Sequence, residues 1–193
     1  LLQQTFDRFS TFVPVENILV VTSVRYNELV KEQLPELKKD QILLEPLRRN
    51  TAPCVAYASY KIKTKNPKAN IIVAPSDHLI IKEEEFVRQV KRGLEFIKTH
   101  DALLTLGIKP SRPETGYGYI QVKNKVDFNH LDNLYKVKTF TEKPNHEMAK
   151  IFVESGEFFW NSGIFLWSLP SILSAFDKYL KDVSALFANG VKL

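Results

Sequence analysis

A single cysteine, Cys54, stands in a chain of 193 residues. It excludes an internal disulfide framework and a Cys-rich zinc site, and it fits a reducing compartment. No window approaches the roughly 18–20 apolar residues that a membrane span requires, and the first residues lack the basic-then-apolar order of a secretory signal. Charge of one sign is not concentrated anywhere. The 27 Lys and Arg are interleaved with 22 Asp and Glu, so the net charge of +5 forms no basic stripe of the kind that tracks nucleic acid. So small a surplus suits a solvated surface or a site for small anions. Internal repeats, low-complexity tracts and a convincing linker are missing too. The expectation is therefore a soluble, cytoplasmic protein with one domain over residues 1–193. Neither nucleic acid nor membrane is expected as a partner, and a homo-oligomer is allowed.

What is present is a rhythm of short apolar runs. Ile18–Thr22, Ile42–Leu44, Ile71–Ala74 and Leu103–Ile108 predict strands buried on both faces. Helices are predicted between them. Arg25–Leu34 places Tyr26, Leu29, Val30 and Leu34 at helical spacing before Pro35. Thr51 caps a second helix, with Pro53 in its first turn, that runs to about Lys65. Glu83, Glu84 and Glu85 open a third at the positive end of its dipole, with Phe86, Val90, Leu94 and Ile97 as the inward stripe. The order β-α-β-α-β-α-β calls for a mostly parallel sheet with helices on both faces.

After residue 108 the rhythm changes. Strands at Gly118–Val122 and Leu134–Thr141 precede a helix at His146–Ser155, an aromatic strand at Phe158–Trp167 and a helical segment at Pro170–Leu186. The opening "LLQQTFDRF" predicts a helix with Leu2, Thr5, Phe6 and Phe9 on one side. No strand feeds that helix and no Met starts it, so the chain is expected to be the interior of a longer protein, truncated at both ends.

Five polar segments sit at strand ends or in loops, where open α/β sheets bind ligands. "APSDHLI" (74–80) delivers Asp77 just past a strand, as a helix-cap or turn residue or as the carboxylate of a hard cation. "EPLRRNTAP" (45–53) sets Asn50, Thr51, Ala52 and Pro53 at a helix mouth, as a plain cap or as a contact for a base or phosphate. "GIKPSRPETGYGYI" (107–120) is a turn between strands or a ligand loop. Its Gly116 and Gly118 allow close backbone approach beside Glu114, Thr115 and Tyr117. "TEKP" (141–144) pairs Glu142 with Lys143, as a surface pair or as acceptor and phosphate clamp. "FFWNSGIFLW" (158–167) places Asn161 and Ser162 among apolar side chains, where the Asn161 amide needs either a local backbone bond or a hydroxyl-bearing ligand.

These segments, in this order and at these spacings, resemble the mannose-1-phosphate guanylyltransferases (GDP-mannose pyrophosphorylases) of the bacterial sugar nucleotidyltransferase family, over essentially the whole chain. The resemblance implies a Rossmann-like, glycosyltransferase-A-type α/β fold with a mostly parallel central sheet. It also implies reaction of GTP with mannose 1-phosphate to give GDP-mannose and pyrophosphate, with Mg2+ as cofactor. Matched residue by residue, it gives Asp77 as metal ligand and Lys143 as phosphate clamp, the two catalytic positions. Asn50, Thr51, Ala52 and Pro53 fall on the nucleotide side. Glu114, Thr115, Gly116, Tyr117, Glu142, Lys143, Asn161 and Gly163 fall on the sugar-phosphate side.

Departures from the family pattern matter as well. The family's Gly-rich loop after its first strand has no counterpart here, and its second metal aspartate lies beyond the last residue. The 193-residue segment is thus expected to be inactive by itself. Two other readings fit: a hexose-1-phosphate nucleotidyltransferase using glucose 1-phosphate with UTP or dTTP, and a non-catalytic nucleotide-sugar-binding subunit.

Overall fold

The computed structural model describes residues 1–45, 51–125 and 133–190. In chain order the elements are α1 (Leu2–Ser10), β1 (Val20–Ser23), α2 (Asn27–Gln33), β2 (Ile42–Glu45), α3 (Thr51–Lys65), β3 (Asn70–Val73) and α4 (Glu83–Thr99). They continue with β4 (Leu103–Ile108), β5 (Tyr119–Lys125), β6 (Tyr135–Thr141), α5 (His146–Ser155), β7 (Phe158–Ser168), α6 (Leu169–Tyr179) and α7 (Lys181–Gly190). Two units result: Leu1–Leu103 together with Leu166–Leu193, and Leu104–Phe165. No helix among the described residues is long and apolar enough to cross a membrane.

In the first unit β1 and β2 pair in parallel, from Val20 opposite Ile42 to Ser23 opposite Glu45. A parallel pair needs a crossover, and α2 lies in it. Phe6, Val30, Leu34, Leu37 and Ile42 form the core there, with Leu2, Ile18 and Val20 packed against them. The buried Gln41 side chain spends its amide within this core. It donates to the carbonyls of Val15 (2.6 Å) and Ile18 (2.9 Å) and accepts from the Lys38 N–H (3.0 Å), as a buried polar group must.

Helix α1 docks through one face that holds Thr5, Phe6 and the buried Arg8. Arg8 Nε donates to Glu83 at 3.0 Å in the first turn of α4. The Phe9 and Phe86 rings meet edge-on at 5.8 Å beside this pair. Farther along, the Tyr60 ring of α3 stacks on Phe187 of α7 at 5.8 Å, and its hydroxyl bonds Ser184 Oγ at 2.9 Å. Ser184 Oγ donates in turn to Asp177.

The second unit is antiparallel around β5. Tyr119, Ile120 and Gln121 face Thr141, Phe140 and Thr139 of β6 on one side, and Trp160, Phe159 and Phe158 of β7 on the other. Strand β4 pairs with β7, and there Ser162 Oγ donates to the Leu106 carbonyl at 2.6 Å. Helix α5 presses Ala149 and Phe152 onto Tyr119, Trp160 and Phe158. The Phe152 and Phe158 rings stack at 4.1 Å. Parallel pairing thus joins β1 and β2 and antiparallel pairing joins β5 to β6 and β7, while β4, which the rhythm groups with the earlier strands, pairs with β7 instead.

Candidate functional site

One end of the β5–β6–β7 sheet gathers most of the candidate residues. Because Tyr119 faces both Thr141 and Trp160, Gly118 just before it falls between the end of β6 and the body of β7. Its carbonyl accepts from the Asn161 N–H at 2.8 Å. A Cβ on Gly118 would stand 3.0 Å from the Thr141 carbonyl oxygen and 4.0 Å from Asn161 Cβ. Only glycine lets three strands come this close without displacing backbone. Gly118, which follows the loop 114–117 in sequence, thus has Thr141, just before Glu142–Lys143, on one side and Asn161 on the other.

Glu142 and Lys143 occupy the short connection from β6 to α5. Asn145 caps α5 by accepting from the Met148 N–H at 2.9 Å, and Gly156 closes the helix with φ 71°. These two stops fix where the connection leaves and re-enters regular structure. Both Glu142 and Lys143 are exposed. Neither has a hydrogen-bond or ion-pair partner among the described residues, so the surface-pair reading of "TEKP" does not hold between these two side chains. A free ammonium and a free carboxylate side by side are available to a ligand that carries both phosphate and hydroxyls.

Asn161 makes the local backbone bond that the sequence allows: its Oδ1 accepts from the Gly163 N–H at 2.9 Å. Gly163 takes φ 69°, in the left-handed region where a side chain would strain the backbone. With Oδ1 engaged, the Asn161 NH2 has no protein acceptor among the described residues and remains a donor for a ligand oxygen. Ser162, by contrast, is structural, since it donates to the Leu106 carbonyl and accepts from the Ile164 N–H at 3.1 Å.

The loop before β5 is held tightly. Glu114 Oε1 accepts from the Gly116 N–H at 3.0 Å, and Oε2 accepts from Arg112 Nη2 at 3.0 Å. The Gly116 N–H, and after it the Arg112 guanidinium, hold the Glu114 carboxyl below the usual carboxylate range. Thr115, Gly116 and Tyr117 remain exposed. The Tyr117 ring leans on Trp160 at 5.3 Å, and the indole N–H of the buried Trp160 has no acceptor among the described residues.

The first unit carries the remaining candidates. Asp77 lies in the turn after β3, exposed, and is not a helix cap, because α4 begins only at Glu83. Its carboxylate has no hydrogen-bond or ion-pair partner among the described residues. The turn is steadied from α1, where Thr5 Oγ1 donates to the Ser76 carbonyl at 3.3 Å. Thr51 is the first residue of α3, exposed like Ala52, with Pro53 half-buried in the first turn. Asn50 lies outside the described residues. No group of three His, Cys, Asp or Glu that could hold a metal occurs among the described residues, so Asp77 offers a single carboxylate.

Sequence reasoning missed Arg112, Tyr119 and Trp160 as supports of the 114–117 loop, and Thr5 as the support of the Asp77 turn. A signal existed for Thr5, a polar residue on the apolar side of α1. None existed for the reach of Tyr119 back to Glu114.

Comparison with known proteins adds to this geometry. A family model described as nucleotidyl transferase matches residues 1–188. A mannose-1-phosphate guanylyltransferase of Escherichia coli is 35% identical over 196 residues, which take in 100% of this chain and 42% of that protein. A solved Thermus thermophilus structure, described as a mannose-1-phosphate geranyltransferase, aligns with a TM-score of 0.86 at 26% identity, covering 97% of this chain and 53% of that one. A Helicobacter pylori structure described as a mannose-6-phosphate isomerase aligns with a TM-score of 0.79 at 27% identity, covering 97% and 68%. The chain spans 37–42% of the length of the curated relatives it matches.

Proposed function

The chain belongs to the nucleotidyl transferase family and has its α/β fold, and from that premise we propose that it serves transfer of a guanylyl group from GTP to mannose 1-phosphate, giving GDP-mannose and pyrophosphate. The observation that carries the reading is Gly118 set between Thr141, next before Glu142 and Lys143, and Asn161, and following a loop pinned through Glu114. That set suits a molecule bearing one phosphate and several hydroxyls. Lys143 binds the sugar phosphate as a point charge, and Glu142 accepts from sugar hydroxyls. The Asn161 NH2 donates to another hydroxyl, while Thr115, Gly116 and Tyr117 line the sugar.

The chemistry needs no protein nucleophile. A phosphate oxygen of the sugar phosphate attacks the α-phosphorus of the nucleotide, a new P–O bond forms, and the bond to the β-phosphate breaks as pyrophosphate leaves. The attacking phosphate monoester is already largely ionised at neutral pH, so no general base is required. Thr51, Ala52 and Pro53, at the start of α3, and Asn50, next before them in sequence, are assigned to the nucleotide, where free helix N–H groups suit a base or phosphate.

Mg2+ is assigned to Asp77. Its exposed, unshared carboxylate fits a cation that takes one or two protein carboxylates and completes its shell with water and phosphate oxygens. Bound there, Mg2+ would neutralise charge on the phosphates. We place the reaction in the cytoplasm, where a lone reduced cysteine is at home.

The test is pyrophosphate release by the full-length protein with Mg2+, crossing GTP, UTP, dTTP and ATP against mannose 1-phosphate and glucose 1-phosphate. GTP with mannose 1-phosphate should be fastest, and Lys143→Ala should lose roughly 10²-fold in kcat/KM for the sugar phosphate. Faster turnover of glucose 1-phosphate with UTP or dTTP would replace the base and the sugar in this reading. Normal turnover by Lys143→Ala would remove Lys143 from the site.

A further inference from the structure

Glu114 is fastened at both its backbone and its side chain. The Tyr119 hydroxyl accepts from the Glu114 N–H at 3.1 Å and donates to the Glu114 carbonyl at 2.9 Å. One hydroxyl thus satisfies both main-chain groups of one residue, using a donor and an acceptor site at once. The ring behind that hydroxyl is fully buried and set among Phe152 at 5.2 Å and Phe158 at 6.5 Å. The loop is therefore tied to the rigid core of its unit. The side-chain tie is Arg112, which reaches Glu114 Oε2 through Nη2 at 3.0 Å and Nε at 3.3 Å. The Arg112 guanidinium lies 5.7 Å from the centre of the Trp160 ring, within cation–π range.

We propose that Tyr119 and Arg112, the latter seated on Trp160, are positioning residues that fix Glu114–Tyr117 in its binding conformation before the sugar phosphate arrives. The inference rests on the reading of that loop as the sugar side of the site. The buried Tyr119 hydroxyl is spent on the loop backbone, and Arg112 is engaged with Glu114 and Trp160, so each acts through the loop. Ordering a loop on binding costs affinity, and a loop ordered in advance avoids that cost. The effect belongs in sugar-phosphate affinity, with little change in the rate at saturation or in nucleotide affinity.

Two readouts test this in the full-length protein. Tyr119→Phe keeps the ring and removes the hydroxyl. It should raise KM for mannose 1-phosphate about tenfold, equivalent to about 1.4 kcal/mol, with kcat and KM for GTP within about twofold of wild type. Amide hydrogen exchange at Glu114 and Gly116 should speed up about tenfold in the same variant. Arg112→Gln, at an exposed side chain, leaves the core untouched and should raise the same KM about threefold with faster exchange at Gly116. Unchanged exchange and unchanged KM in both variants overturn the inference, as does a fall in kcat with no movement in the sugar-phosphate KM. A wild-type protein that turns over no hexose 1-phosphate overturns the functional reading instead, and the exchange arm then decides whether the two residues order the loop.

Discussion

Cys54 is the one thiol of the chain, and its surroundings keep it protonated. It is half-buried in the first turns of α3 and donates to Glu45 Oε2 at 3.0 Å. Burial, then the Glu45 carboxylate, pushes the Cys54 pKa up to about 11. Both causes penalise the thiolate, so the reactive form is scarce at every pH below that value. Alkylation by iodoacetamide at pH 8 should run on the order of a hundredfold slower than for free cysteine, and guanidinium should restore the free rate. A fast reaction in the folded protein would contradict the Glu45 contact. At this scale the sequence could show that a residue is present but not how it is engaged. Lys143 and Glu142 look like an ordinary surface pair, and only the folded structure shows that they leave each other alone. Glu114 looks like a free carboxylate and is instead held by Gly116 and Arg112.

Among the elements, α1 is the one whose fastening is hardest to foresee. Its apolar side was legible from Leu2, Thr5, Phe6 and Phe9, yet Arg8, which reads as a solvated charge, is 3% exposed. Its burial depends on Glu83, 75 positions away in sequence, and no local pattern encodes that distance. Arg8→Ala should destabilise the fold by about 2 kcal/mol, read as a lower urea midpoint with unchanged slope. The loss stays below that for breaking a fully buried pair because the Glu83 side chain is half-exposed and would be rehydrated. A midpoint within error of wild type would show that the pair contributes nothing. Elsewhere the elements follow their punctuation closely. Strand β4 and helix α5 span the residues that the pattern assigns, the latter because Asn145 and Gly156 are strong local stops. Strand β1 begins two residues later than its apolar run, since a 3-10 turn takes Val15–Asn17 and Ile18 follows as its cap.

For the molecule as a whole, dependence on a cation tests whether Asp77 has the assigned role. Chelation with EDTA should abolish turnover of the full-length protein and Mg2+ should restore it. Asp77→Asn should need at least about tenfold more Mg2+ for half-maximal rate, since one hard oxygen ligand is weakened. An unchanged Mg2+ requirement would take Asp77 out of the metal site. The order of the two units along the chain carries a further consequence, for biogenesis. Residues 104–165 form a contiguous unit set inside a discontinuous one. The Tyr60–Ser184 bond of the outer unit spans 124 positions. On the ribosome, at roughly 5–20 residues per second, α7 emerges several seconds after α4. The contiguous unit, residues 104–165, is synthesised entirely within that interval. The discontinuous unit therefore holds residues made both before and after the contiguous one. Tyr60 of α3 therefore gains its stack on Phe187 and its bond to Ser184 only once α7 has been made.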